Sequence, residues 1–375
     1  GEARLISHGY VAGKSITQNL ITFIESGLPA SLNWSMEYAN EVKSSKSNSI
    51  SFLYLGAQHF QIGEASINGV AYYPTAFSGI SNGSIIYFDF IPLRDMFVAD
   101  GGSSLLSVVN TTSNLIIRNI SVSSNPIGVA VSPDGNLAFV TNHGNSFVSV
   151  INTDINEVIA NVTVGVNPTG ITMNMNGSYV YAENFSIINS SKVGGTPEGV
   201  AVSPNSKFIY VAQSSLDSLV VLNSSLKIIK TIPVGHDPIG VVVSPDGRFV
   251  YVSNNLSDSV SVVNLSSFSV IKNISVGSGP EALAISPTGS SLYVANTYSN
   301  NVYRINTSNY KTVAIINVGS LPSGLTVNPN DEFVYVSNFG SNSVSVISTS
   351  SNSIVDSITG FKNPQGITDA PFGST

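Results

Sequence analysis

The sequence predicts an all-β chain: a seven-bladed β-propeller closed by its own C-terminal strand, with a small β-sandwich in front of it. Two observations carry that prediction. A Pro-x-Gly or Pro-x-x signature recurs at Pro126, Pro168, Pro197, Pro238, Pro280, Pro322 and Pro364, with separations of 42, 29, 41, 42, 42 and 42 residues, and a fixed period of this length means a stacked array. Within each period the same four short, β-branched and aromatic segments return between turn signals. Four antiparallel strands make one propeller blade.

Residues 1–20 precede any periodic pattern and read as an N-terminal arm, a possible donated strand. Residues 21–92 carry alternating stretches at Ser51 to Leu55, Val70 to Tyr73 and Ile85 to Phe90, as half-buried strands of a sandwich do. Residues 93–375 form the propeller. The second strand of each blade is read at Phe97 to Asp100, Phe139 to Asn142, Tyr179 to Asn184, Ile209 to Gln213, Val250 to Asn254, Leu292 to Asn296 and Val334 to Asn338, which gives seven blades.

The turns have their own chemistry. Proline in Pro133-Asp134-Gly135 and Pro245-Asp246-Gly247 presets the dihedral of a tight reversal. The first copy, from Met96 to Val122, lacks an innermost strand, and the last, Pro364 to Thr368, lacks everything after it. Joining the two closes the ring and removes its open edges. The 29-residue period from Pro168 to Pro197 is short by 13 residues, so the third blade is expected to lack about one strand and to leave an edge open.

The segments Val250-Tyr251-Val252-Ser253-Asn254, Leu292-Tyr293-Val294-Ala295-Asn296 and Val334-Tyr335-Val336-Ser337-Asn338 resemble the YVTN family of propeller repeats across roughly residues 95 to 370. That resemblance implies an extracellular protein of the archaeal surface-layer type, and related propellers include lactonases. Upstream, Phe23-Ile24-Glu25-Ser26-Gly27-Leu28-Pro29 with Asn33-Trp34-Ser35 is similar to the opening of an Ig-like or PEGA-like sandwich.

Composition excludes several function classes. The net charge is -7 with 15 Lys+Arg spread along the chain, so no basic stripe can track phosphates and no nucleic acid is expected as partner. No apolar run is long enough to span a membrane. Cysteine is absent, which removes disulfides and thiolate chemistry. Thirteen sequons, at Asn33, Asn82, Asn110, Asn119, Asn161, Asn176, Asn184, Asn189, Asn223, Asn255, Asn264, Asn273 and Asn306, point to N-linked glycans and an extracellular, cell-surface place.

Ligands of propellers bind where the loops leading into the innermost strands converge. The residues after the repeat prolines are Ile127, Thr169, Glu198, Ile239, Glu281, Ser323 and Gln365. Glu198 and Glu281, with Asp237 between them, offer hard oxygen ligands of the kind Ca²⁺ takes. His143 and His236 lie on loops of the same face, where a histidine beside a carboxylate can act as a base. No recognisable catalytic motif joins them, and the recurring tyrosines read as core between blades.

The sequence therefore leads to the expectation of a non-enzymatic structural or interaction protein of an archaeal cell surface. It would be a homo-oligomer or homopolymer, assembling into a filament or surface layer by strand addition, or meet other surface proteins and glycans. A monomeric adhesin or carbohydrate receptor is one alternative. A lactonase-like or lyase-like propeller enzyme with a divalent metal is another.

Overall fold

The computed structural model describes the strands of residues 3–92 by their backbone and residues 95–369 apart from 112, 154, 175–176 and 183–194. The chain divides into two compact units, residues 1–94 and 95–375. The first is built of antiparallel sheets. One runs Tyr87–Phe88, Ala3–Ser7, Leu20–Ile24, Ser49–Leu53, and a second runs Glu41–Ser45, Trp34–Tyr38, Gln58–Ile62, Ser78–Ser81. Ala3–Ser7, inside the segment expected to be a donated arm, pairs within this unit, with Leu20–Ile24 along one edge and through Ala3 and Arg4 with Tyr87–Phe88 on the other.

The second unit is a seven-bladed β-propeller. Blade 1 is ordered Leu115–Ser121, Leu105–Asn110, Met96–Asp100, Pro364–Thr368, and Val98 pairs Ile367 across the closure. The C-terminal strand thus completes the N-terminal blade, as the complementary ends of the repeat predict. Blade 2 is Pro126–Val131 to Glu157–Thr163, blade 4 Pro197–Val202 to Ile228–Pro233, blade 5 Pro238–Val243 to Ser269–Ser275, blade 6 Pro280–Ile285 to Thr312–Asn317, and blade 7 Pro322–Val327 to Ser353–Thr359, each of four antiparallel strands. Blade 3 shows two strands among the described residues, Ile171–Met173 and Val180–Ala182. The strand expected to be missing from it falls on residues 183–194, outside the described residues.

The core lies between blades. Phe97, Leu106, Val108 and Ile120 of blade 1 pack on Val131, Ala138, Val140 and Ile151 of blade 2. Met96, Val98 and Val109 pack on Tyr335, Val344 and Val346 of blade 7. The four-stranded sheets pack on both faces, so their second strands read as near-continuous apolar runs where a one-sided sheet would alternate, while most third strands carry a serine, such as Ser149 or Ser261, in mid-strand. The tyrosines of the second strands, Tyr210, Tyr251, Tyr293 and Tyr335, are fully buried, as the inter-blade reading requires.

Close approach around the channel explains the Pro-x-Gly signature. A Cβ on Gly199, Gly240 or Gly324 would fall inside contact distance of the carbonyl oxygen of Ile239, Glu281 or Gln365 in the next blade. The hydroxyl two residues after the motif tyrosine finishes the joint: Ser253 Oγ donates to Glu281 O at 2.7 Å and accepts from Gly240 N. Thr141 does the same between Thr169 O and Gly128 N. The motif asparagine ties its blade together, Asn254 Oδ1 accepting from Gly235 N and Nδ2 donating to Ser261 Oγ.

Candidate functional site

The four-residue loop between the second and third strands of a blade meets the loop that leads into the innermost strand, so both lie at the channel mouth. In blade 5, Asn255 N bonds Asp237 O and Leu256 N bonds His236 O; in blade 6, Tyr298 N bonds Ser278 O. The last residue of each such loop sits in the left-handed region, where Asp and Asn are tolerated. Asp217, Asp258 and Asn300 (φ 48°, 47° and 52°) turn their oxygens onto the N–H groups of Asp237, Gly279 and Leu321 in the next blade.

This scaffold places the three carboxyls expected at the mouth. Glu198, Asp237 and Glu281 open blades 4, 5 and 6, and each is partly buried. Burial raises the pKa of Glu198, with Asp237 adding to it, and burial followed by the Asp217 charge raises Asp237. Burial pushes Glu281 from 4.5 up to about 7, with the Glu198 charge adding to the rise against the Thr297 hydrogen bond. Desolvation of this kind favours the neutral acid.

Thr297 links Glu281 to the next blade. Its hydroxyl lies 2.7 Å from Pro322 O and 2.9 Å from Glu281 Oε2. A hydroxyl has one proton, and a backbone carbonyl only accepts. Thr297 can donate to Glu281 Oε2 or to Pro322 O, and in the second case a protonated Glu281 completes the pair by donating to Thr297 Oγ1. Burial favours the neutral form of Glu281, and donation from Thr297 opposes it.

The metal reading does not follow from this arrangement. Among the described residues no three His, Asp or Glu side chains converge closely enough to hold a metal ion. Glu198, Asp237 and Glu281 influence one another through space without forming a ligand cluster, because successive inner strands hold them one blade apart.

His236 Nδ1 pairs with Asp217 Oδ2 at 2.7 Å on the exposed rim. The Asp217 carboxyl is held below the ordinary range, first by the Asp237 N–H and then by His236. His143 Nδ1 lies 3.3 Å from Asn125 Nδ2 in blade 2, away from the acidic arc. The sequence reading missed Thr297, Asp217 and Asn255; the signal was their shared place one or four residues beyond the motif Asn or Gln.

Two structural roles account for several sequons. Asn119, Asn161 and Asn273 sit exposed on outermost strands, and each Oδ1 accepts the hydroxyl of a buried serine, Ser107, Ser149 or Ser261. Asn223, Asn264 and Asn306 cap turns through Oδ1, and Asn110 likewise takes Ser113 N. Asn255 is corrected as a glycan acceptor: it is 6% exposed and its Nδ2 donates to Pro280 O, so an attached sugar would displace that contact. Asn33, Asn82, Asn176, Asn184 and Asn189 lie outside the described residues.

The second unit is a closed seven-bladed ring that carries a buried carboxyl, Glu281, at the start of blade 6. Residues 184–267 and 226–312, which cover much of blades 4 to 6, match the family described as "Lactonase, 7-bladed beta-propeller". Among solved structures, a protein of unknown function from Desulfotomaculum acetoxidans is 15% identical with a TM-score of 0.65, covering 74% of this chain and 99% of its own. The periplasmic gluconolactonase of Pseudomonas aeruginosa is 18% identical with a TM-score of 0.63, covering 75% and 99%. The dihydro-heme d1 dehydrogenase NirN is 15% identical with a TM-score of 0.55, covering 71% and 64%. No curated protein sequence matches the chain.

These findings overturn the expectation of a non-enzymatic protein: the family match and the enzyme neighbours point to enzyme-like propellers. Among the described residues no helix is long and apolar enough to cross a membrane.

Proposed function

We propose that this protein is a lactonase-type hydrolase working at the channel mouth of blades 4 to 6, without a metal held by the three carboxyls. The observation that carries the reading is Glu281, a carboxyl at the start of the inner strand of blade 6 whose pKa burial raises to about 7 and whose Oε2 meets Thr297 Oγ1. The match to the lactonase family over the same blades supports it.

In the proposed reaction water adds to the carbonyl carbon of a lactone. The Glu198 carboxylate takes the proton that water loses, and Glu281 gives its proton to the ring oxygen as the C–O bond breaks. The product is the open hydroxy acid, and the proton passes back from Glu198 to Glu281 through solvent. Two carboxyls whose surroundings separate their titrations are the usual means of supplying acid and base together. The rate should therefore rise with pH as Glu198 ionises and fall as pH passes about 7, where Glu281 loses its proton.

The test is proton release from δ-gluconolactone, γ-butyrolactone and γ-nonalactone by the wild type, Glu281→Gln and Glu198→Gln. A loss of roughly 10²-fold or more in kcat/KM for both variants, with unchanged thermal midpoints, is expected. Failure of the wild type to open any of these lactones, or full activity in Glu281→Gln, would sink the proposal. Exposed sequon residues Asn119, Asn161 and Asn273 support an extracellular, glycosylated setting, which intact mass of the secreted protein would test.

A further inference from the structure

The acidic arc is bordered by apolar side chains that stay largely exposed, although Leu216 lies against Gly195 and Tyr298 against Gly279. Leu256 is 71% exposed, Tyr298 64% and Leu216 55%. All three stand on the mouth loops of blades 4, 5 and 6, the same blades that carry Glu198, Asp237 and Glu281.

Each is one residue from a group that organises the acidic arc. Leu216 precedes Asp217, which binds Asp237 N and His236. Leu256 follows Asn255, whose Nδ2 donates to Pro280 O, the carbonyl just before Glu281. Tyr298 follows Thr297, the partner of Glu281. Among the other four-stranded blades, the loops of blades 1 and 2 have Gly101, Gly102 and Gly144 and no large apolar residue, while the loop of blade 7 has Phe339 beside Gly340.

Charge narrows the choice of occupant. The mouth loops of blades 5 and 6 hold no Lys or Arg, and neither does Ser214 to Asp217 of blade 4, so an anionic ligand finds no counter-charge there. A large apolar side chain left in water forfeits the free energy of burial, which a ligand can recover by covering it.

We propose that Leu216, Leu256 and Tyr298 receive an apolar substituent of the substrate. The lactone opened at Glu281 then carries an alkyl or aryl chain and no net charge, and is not a polyhydroxylated sugar lactone. This rests on the hydrolase reading above and specifies its substrate class. The rim residues are specificity-determining: they touch the chain of the substrate, while the ring reaches the carboxyls.

The closing experiment separates the two ideas by reading binding as well as turnover. Wild type, Leu256→Ser/Tyr298→Ser and the remote control Leu115→Ser on the outer strand of blade 1 are compared for hydrolysis of γ-nonalactone, γ-butyrolactone and δ-gluconolactone. Calorimetric binding of γ-nonalactone is measured on the same proteins. A preference for γ-nonalactone over γ-butyrolactone of roughly tenfold or more in kcat/KM is expected in wild type and control, and should disappear in the rim variant.

Equal kcat/KM for the two alkyl lactones in wild type, or a preference that survives in the rim variant, overturns the proposal. If no lactone is hydrolysed, the enzymatic reading fails and binding decides the rim. Affinity for γ-nonalactone weakened about tenfold by the rim substitutions upholds the apolar subsite, and unchanged or absent binding overturns it.

Discussion

Replacing Glu281 by Gln tests whether its carboxyl is held neutral by the fold. The glutamine keeps the shape of the protonated acid, and its Nε2–H can donate to Thr297 Oγ1 as the acid does. In the wild type the folded-state pKa is raised from 4.5 to about 7. Between these values the native protein binds more protons than the unfolded chain, so stability contributed by this group falls as pH rises through the window. It is fully present below about 4.5 and lost above about 7. At 1.36 kcal/mol per pH unit, the gap corresponds to at most about 3 kcal/mol.

The assay is urea unfolding of wild type and Glu281→Gln at pH 4.5 and pH 8. Most other carboxyls titrate alike in both proteins and cancel in the difference. The variant should match the wild type at low pH and exceed it at pH 8 by up to about 3 kcal/mol. A difference that does not change with pH, or a variant weaker at pH 8, would refute the burial argument for Glu281.

Other expectations follow from single contacts. Gly240→Ala places a Cβ against Glu281 O, so it should cost roughly 1–3 kcal/mol by forcing blades 5 and 6 apart, read as a lower thermal midpoint. The same shift moves the strand that carries Glu281, so activity should fall more than stability does. The Tyr210 hydroxyl is buried without a hydrogen-bond partner, and burial drives its pKa to about 12. Tyr210→Phe should therefore unfold at or above the wild-type midpoint, while Tyr210→Ala should cost roughly 3–5 kcal/mol by opening a cavity between blades.

The sequence by itself determined the ring. The 42-residue period, the Pro-x-Gly signature and the incomplete first and last copies specify seven blades and their closure, because each is a local pattern repeated until the chain meets its own beginning. The buried tyrosines were legible for the same reason, since a residue recurring at one strand position in every blade serves the packing common to all of them. The sequons were legible as triplets, while the structural part that some of their asparagines play was not. Asn119, Asn161 and Asn273 recur because a buried serine on the neighbouring strand needs an acceptor.

What only the tertiary structure decided is the chemistry of the mouth. Glu198, Asp237 and Glu281 are identifiable in sequence by their place after the repeat prolines, but their protonation depends on what surrounds them. Thr297 reaches Glu281 and Pro322 at once only because blades 6 and 7 are packed side by side. The exposed Leu216, Leu256 and Tyr298 look in sequence like ordinary loop residues. Their meaning comes from lying beside carboxyls that are distant along the chain, and such juxtapositions are made by the closing of the ring and not by any local pattern.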